Sequence, residues 1–228
     1  MNITHTRFLR GPNLWSQHTS IEATVCCNEI DRNIANLSGF EARVRERFPN
    51  MALLQPAGHH DVVSMAHVLE FATLGLQAQS GCPVTFSQTV QTPDNDTYRV
   101  VVEYSEEKVG RLAFELAQAL CTAAVEDSSF NLTEALRRLR ELNEDIRFGP
   151  STGAIVRAAV ARGIPVRRLT EGSLVQFGWG SRQRRIQASE TDMTSAVAES
   201  IVQDKELTKT LLHAAGIPVP LGRSVESL

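Results

Sequence analysis

Residues 84–90 and 98–104 are two runs rich in Val, Thr and aromatic side chains, and between them lies Thr92-Pro93-Asp94-Asn95-Asp96. Proline presets a turn dihedral, and Asp and Asn side chains hydrogen-bond their own backbone. The segment reads as a hairpin with a longer loop. An amphipathic stretch at 107–125 follows at once and reads as a helix, and 132–142 reads as another. Upstream, 3–9 alternates loosely as a strand, Arg10-Gly11-Pro12-Asn13 makes a turn, and 21–27 is a second strand rich in β-branched residues. Strand pairs with helices between them over 3–125 predict an α+β fold, an antiparallel sheet sandwiched with helices.

Further helices fit between these strands. Phe40, Val44 and Phe48 sit at helical spacing in 39–48, and Pro49-Asn50 ends that helix. Residues 55–60 read as a loop. The longest uninterrupted helix candidate is 62–79, closed by Ser80-Gly81. Gly149-Pro150-Ser151-Thr152 opens a helix at 153–162, and Gly163-Ile164-Pro165 stops it, which sets a domain boundary between 162 and 163. Beyond it come two short apolar runs broken by Gly178 and Gly180. Then follow Arg182, Arg184 and Arg185, a helix from about Thr194, Asp204-Lys205, a second helix, and a stop at Gly216-Ile217-Pro218-Val219-Pro220.

The formal charge of −3 gives no reason to expect a nucleic-acid partner, whose binders carry a basic face. Of 23 basic residues only Lys108, Lys205 and Lys209 are lysines. A GC-rich genome explains that bias, and so does carboxylate binding, because the guanidinium fork grips a carboxylate with two hydrogen bonds. Cys26, Cys27, Cys82 and Cys121 show no metal spacing and read as reduced core residues of a cytoplasmic protein. The first residues lack the apolar segment of a signal peptide, and no apolar run approaches the ~20 residues of a membrane span.

Four quoted stretches resemble one family in order along the chain: LRGPNLWS at 9–16, VVVEYSEEKVGRLAFELA at 100–117, GPSTGAIVRAAVARGIP at 149–165 and EGSLVQFGWGSRQRRIQAS at 171–189. With the helix–Asp-Lys–helix–GIPVP order that opens an ATP-grasp unit, they resemble the cyanophycin synthetases, ligases that use ATP to build an Asp backbone decorated with Arg. The resemblance implies an N-terminal polymer-binding domain at 1–162 and the first, truncated part of an ATP-grasp α/β domain at 163–228. It implies ATP and Mg²⁺ as cofactors of the longer enzyme, with the magnesium ligands beyond Leu228. The partners it implies are the cyanophycin polymer, Asp and Arg, in a cytoplasmic homo-oligomer, a tetramer. A Mur-like ligase unit that adds Arg would follow in the longer protein. The 228-residue chain alone is expected to be inactive.

The same resemblance places Lys205 against nucleotide phosphates; the residues alone allow a solvated lysine at a helix start. Lys209, one turn on, is expected to face solvent. Arg182 and Arg184 would share one face of a strand and Arg185 the other. They would contact the polymer or another anion, or else pair with Glu171, Glu190 and Asp192. Trp179 would stack on a guanidinium or pack a corner. His67, Glu70 and Phe71 occupy the positions of an HxxEH zinc motif that, in many family members, serves a hydrolase. Phe cannot ligate a metal, so no metal site is expected, and His59 and His60 read as loop histidines. Ser151 and Thr152 could cradle an anion or cap the helix. A polymer-binding module without catalysis and a zinc-dependent cyanophycin hydrolase remain the alternatives to a ligase.

Overall fold

A computed structural model describes residues 1–51, 62–94 and 96–222. Strands β1 (Asn2–Leu9), β2 (Ser20–Cys26), β3 (Ser87–Gln91) and β4 (Thr97–Glu103) form an antiparallel sheet in the order β1-β2-β4-β3. Its central register pairs Ile21 with Val102, Ala23 with Val100 and Val25 with Tyr98. Paired residues share a face, and all six are buried.

Four helices cover that face: α1 (Phe40–Arg47), α2 (Met65–Gln79), α3 (Glu107–Glu126) and α4 (Leu132–Ile146). On α3, Val109, Ala113, Leu116, Ala117 and Leu120 recur at three- and four-residue spacing and are buried. Phe40, Val44, Phe48, Leu69, Leu76 and Leu139 fill the same core. Each large side chain buried here contributes about 1.5–3 kcal/mol. Gly110 lets α3 approach β4: a Cβ there would lie 2.7 Å from the Tyr104 Cβ.

A second antiparallel sheet runs as a meander, β5 (Val166–Arg168), β6 (Leu174–Phe177), β7 (Arg184–Gln187) and β8 (Glu190–Thr191). Helix α5 (Pro150–Val160) precedes it, and α6 (Ala196–Gln203) and α7 (Lys205–Ala214) follow. This part buries little: Ala159, Val175 and Ile186 are its buried apolar residues, and neither α6 nor α7 buries any residue. The architecture is mixed α+β with antiparallel sheets, as expected.

Arg168 ties the second sheet to the first. Its guanidinium donates to Glu106 Oε2 at 3.0 Å and to the carbonyls of Ile146, Glu171 and Gly172, and lies over the Phe148 ring. Burial pushes the Glu106 carboxyl above the usual carboxylate range against the pull of Arg168. Lys108 bonds Glu171 across the same junction.

Element ends differ from expectation for local reasons. Strand β3 starts at Ser87, not 84, because Glu103 Oε2 takes the Thr85 and Phe86 amides at 2.8 and 2.9 Å. Helix α2 starts at Met65 because Ser64 and His67 form a reciprocal cap. Helix α5 starts at Pro150, which suits the first helical position, with Gly149 as the cap residue. Helix α6 starts at Ala196, where the Ser195 hydroxyl accepts from the Ala198 amide. The expected loop with His59 and His60 lies outside the described residues. Among those described, no helix is long and apolar enough to cross a membrane.

Candidate functional site

The second sheet concentrates arginine. Residues 166–191, from its first strand to its last, hold five arginines and two acids, Glu171 and Glu190, a net +3 in a chain whose total is −3. The register assigns their faces. Arg167 pairs with Gln176 and Gln176 with Arg185, so these three form a row across one face. Phe177 pairs with Arg184, which therefore points to the opposite side with Val175 and Ile186. Arg167, Arg182, Arg184 and Arg185 are exposed, and Gln176 is buried between its neighbours.

Two expectations change here. Arg182 lies in a short 3₁₀ turn, Gly180–Arg182, ahead of the strand, so it does not share a strand face with Arg184. Gly178 and Gly180 at φ +68° and +61° make that turn, a conformation other residues avoid. Ion pairing also does not absorb the cluster: Glu171 is taken by Lys108, and Asp192 reaches only Arg184, at 3.7 Å. Among the described residues the Arg167, Arg182 and Arg185 guanidiniums have no hydrogen-bond or ion-pair partner. Trp179 packs beside Gly11, whose added Cβ would meet the indole at 3.7 Å. Sequence reading missed Arg167. Its signal was strand alternation in Val166-Arg167-Arg168, which puts Arg167 opposite the inward Arg168.

Lys205 is the first residue of α7 and is exposed. Asp204 caps the helix, its Oδ1 accepting from the Glu206 and Leu207 amides at 3.0 and 2.9 Å. Lys209 does not simply face solvent: it is half-buried and its Nζ reaches the Gly222 carbonyl at 3.3 Å. Thr152 is no anion ligand. It is buried and donates to the Ala188 carbonyl at 3.0 Å, tying α5 to the β7–β8 turn.

On α2, His67, Glu70 and Phe71 have separate neighbours. The Ser64 amide donates to His67 Nδ1 at 3.2 Å, and the Ser64 hydroxyl lies 2.9 Å from it. The ring meets Tyr98 edge-on. Glu70 is 4% exposed, and burial pushes its carboxyl up despite the Thr89 and Ser87 hydroxyls beside it. It continues into buried Thr73 and Gln77. Phe71 packs against the core. Among the described residues no three His, Cys, Asp or Glu come together in a way that could hold a metal ion.

Residues 29–126 match the cyanophycin synthase-like N-terminal domain. The chain is 34% identical over 243 positions to the cyanophycin synthetase of Trichormus variabilis, covering 100% of this chain and 27% of that protein. It is 34% identical over 242 positions to that of a Synechocystis species, covering 99% and 28%. The chain thus contains a cyanophycin synthase-like N-terminal domain and is similar over its whole length to cyanophycin synthetases. It corresponds to the N-terminal part of these relatives and spans about a quarter of their length.

The cyanophycin synthase-like match begins before α1 and ends with α3, so it contains the α2 motif and the β3–β4 hairpin but not the arginine-bearing sheet. The similarity to cyanophycin synthetases, by contrast, spans the whole chain, the second sheet and α6–α7 included. Lys205 is an exposed point charge at a helix start and fits contact with a phosphate. The described residues offer no carboxylate cluster for Mg²⁺.

Proposed function

We propose that this chain is the N-terminal part of a cyanophycin synthetase, a ligase that uses ATP to polymerise Asp and Arg. Residues 1–162 hold the growing polymer, and 163–228 open an ATP-grasp unit that continues in the longer protein. That protein works in the cytoplasm as a homo-oligomer. The observation that carries this reading is 34% identity to a cyanophycin synthetase over the entire chain. When bound, ATP activates a carboxylate for attack by an amine, with Mg²⁺ held by residues outside this chain. Lys205 offers a charge to the nucleotide phosphates. Arg182, Arg184 and Arg185 contact the polymer.

Two observations favour a reading without hydrolase chemistry. Phe71 stands at the third ligand position and packs on the core, and the α2 cap engages His67 Nδ1. The test is made in the longer protein. Lys205→Ala removes a charge-assisted hydrogen bond of roughly 1.5–3 kcal/mol, about ten- to a hundred-fold in ATP affinity or Asp addition. Arg addition to polymer ending in bare Asp stays within about two-fold. Equal loss of both half-reactions, together with the melting temperature, would make Lys205 structural and overturn its assignment.

A further inference from the structure

The first sheet and its four helices form one unit, and among the described residues its apolar core takes in nothing beyond Ile146. The second sheet is therefore held to that unit by polar side chains over a small area, and such a junction leaves two units free to move unless something fixes them. Trp179 approaches Gly11 there, and Lys108 pairs with Glu171 where both side chains are mostly in solvent, an arrangement that contributes little. Arg168 differs from both. Its side chain is 20% exposed and that of Glu106 18%. Nη1 donates to Glu106 Oε2 at 3.0 Å and to the Ile146 carbonyl at 2.5 Å. Nε donates to the Gly172 carbonyl at 2.9 Å and Nη2 to the Glu171 carbonyl at 2.7 Å. Glu106 is the residue that leads into α3, Ile146 is the last of α4, and Glu171 and Gly172 lie between β5 and β6. The positive charge suits the end of α4, where helix carbonyls lack helical partners.

We propose that Arg168 is a positioning residue of the ligase: it fixes the second sheet against the first unit, and so keeps a polymer held on 1–162 in line with the ATP-using unit that opens at 163. The inference rests on the ligase reading above. The four hydrogen bonds divide into two pairs with different work. Glu171 and Gly172 belong to the same hairpin as Arg168, so their carbonyls aim the guanidinium and move with it. Glu106 and Ile146 belong to the first unit and receive it. Rotation of the sheet about the 147–149 connection would break the second pair and spare the first. The Phe148 ring, 4.2 Å from the guanidinium carbon, closes one further side. A lysine could not replace this residue, since a point charge lacks the planar fork that serves several acceptors at once. Integrity of the sheet is a separate matter. Buried Val175 pairs with buried Ile186 and holds β6 to β7 whatever Arg168 does.

The chain has two tryptophans, so Trp15→Phe leaves Trp179 alone, and acrylamide quenching of its fluorescence reads the approach to Gly11. In that background Arg168→Ala raises the quenching constant of the 228-residue chain about two-fold, as a loosened junction lets solvent reach the indole. In the longer protein Arg168→Ala raises the polymer KM for Asp addition about ten-fold, the scale of one lost charged hydrogen bond, and leaves the KM for ATP within about two-fold. Glu106→Gln keeps the bond to Ile146 and gives a smaller change in the same direction. Arg168→Lys recovers only part of the loss. Val175→Ala is the control: it weakens the second sheet from inside and lowers the melting temperature, and moves neither the quenching nor the polymer KM. Unchanged quenching in Arg168→Ala overturns the proposal. So does raised quenching with an unchanged polymer KM, or an equal rise in the KM for ATP. A matching rise of the polymer KM in Val175→Ala would reduce the effect to stability and also overturns it. A longer wild-type protein that adds no Asp fails the ligase reading instead, and quenching alone then decides whether Arg168 fixes the sheet.

Discussion

On the first sheet Arg7 and Arg99 close on Glu22, a carboxylate only 3% exposed, and each gives it a hydrogen bond. On the second sheet Arg167 and Arg185 flank an uncharged Gln176 and meet no acid. The first arrangement is self-contained: removing either side strands the other. The second leaves charge directed at solvent. The sheets differ in the same sense in their cores. The first lies under four helices with a continuous apolar interior, and the second rests on Val175, Ile186 and Ala159. The first sheet pairs its charges with one another on the face away from the helices. A sheet with a small core contributes little stability, and its side chains are free for contacts outside the chain.

The largest effect that sharpens this contrast comes from Glu22. Arg7→Ala combined with Arg99→Ala leaves its buried carboxylate unpaired, and the expected loss is about 3–5 kcal/mol by urea unfolding. A loss under about 1 kcal/mol would put the two sheets on an equal footing and break the comparison.

Arg168→Ala comes next, because it removes the charged bond to Glu106 and the lid on Phe148. About 1.5–3 kcal/mol is expected. The loss should be local: amide exchange in β5–β7 accelerates while β2 and β4 keep their protection. Uniform acceleration in both sheets would show one cooperative unit.

Glu70→Gln should stabilise. Burial raises the Glu70 carboxyl, so the folded protein holds that proton to higher pH than the unfolded chain does. Stability from this group is therefore full at acid pH and is lost as pH rises through the folded value. The Gln variant melts above wild type at pH 8. The gap closes toward pH 4. A gap that widens toward acid pH would mean that Glu70 functions ionised.

The smallest effect is expected on the second sheet itself. Arg167→Gln with Arg185→Gln shifts the melting temperature by less than about 2 °C, since exposed side chains without partners contribute little.

The loose alternation of 3–9, the β-branched run at 21–27 and the Pro-Asp-Asn-Asp turn were enough to expect the antiparallel first sheet, and the helical spacing of apolar residues at 107–125 to expect its helices. The second sheet was half legible. Leu174–Phe177 was visible as a short apolar run and the arginine segment as a strand, but their register depends on Gly178 and Gly180 at positive φ, and that turn took Arg182 off the strand. Arg167 was missed although Val166-Arg167-Arg168 alternates, because an alternation of three residues does not stand out as a strand in a sequence. The partners of Glu171 were illegible for another reason: Lys108 is distant in sequence and meets it only through the fold.

Arginine reactivity tests the contrast most directly. The chain is treated briefly with phenylglyoxal, and modified sites are counted by peptide mass spectrometry. The account predicts that Arg167 and Arg185, both exposed, react first. Arg168 and Arg47, only 20% and 9% exposed in their side chains, should react last. Reaction of Arg168 or Arg47 as fast as Arg167 would contradict it.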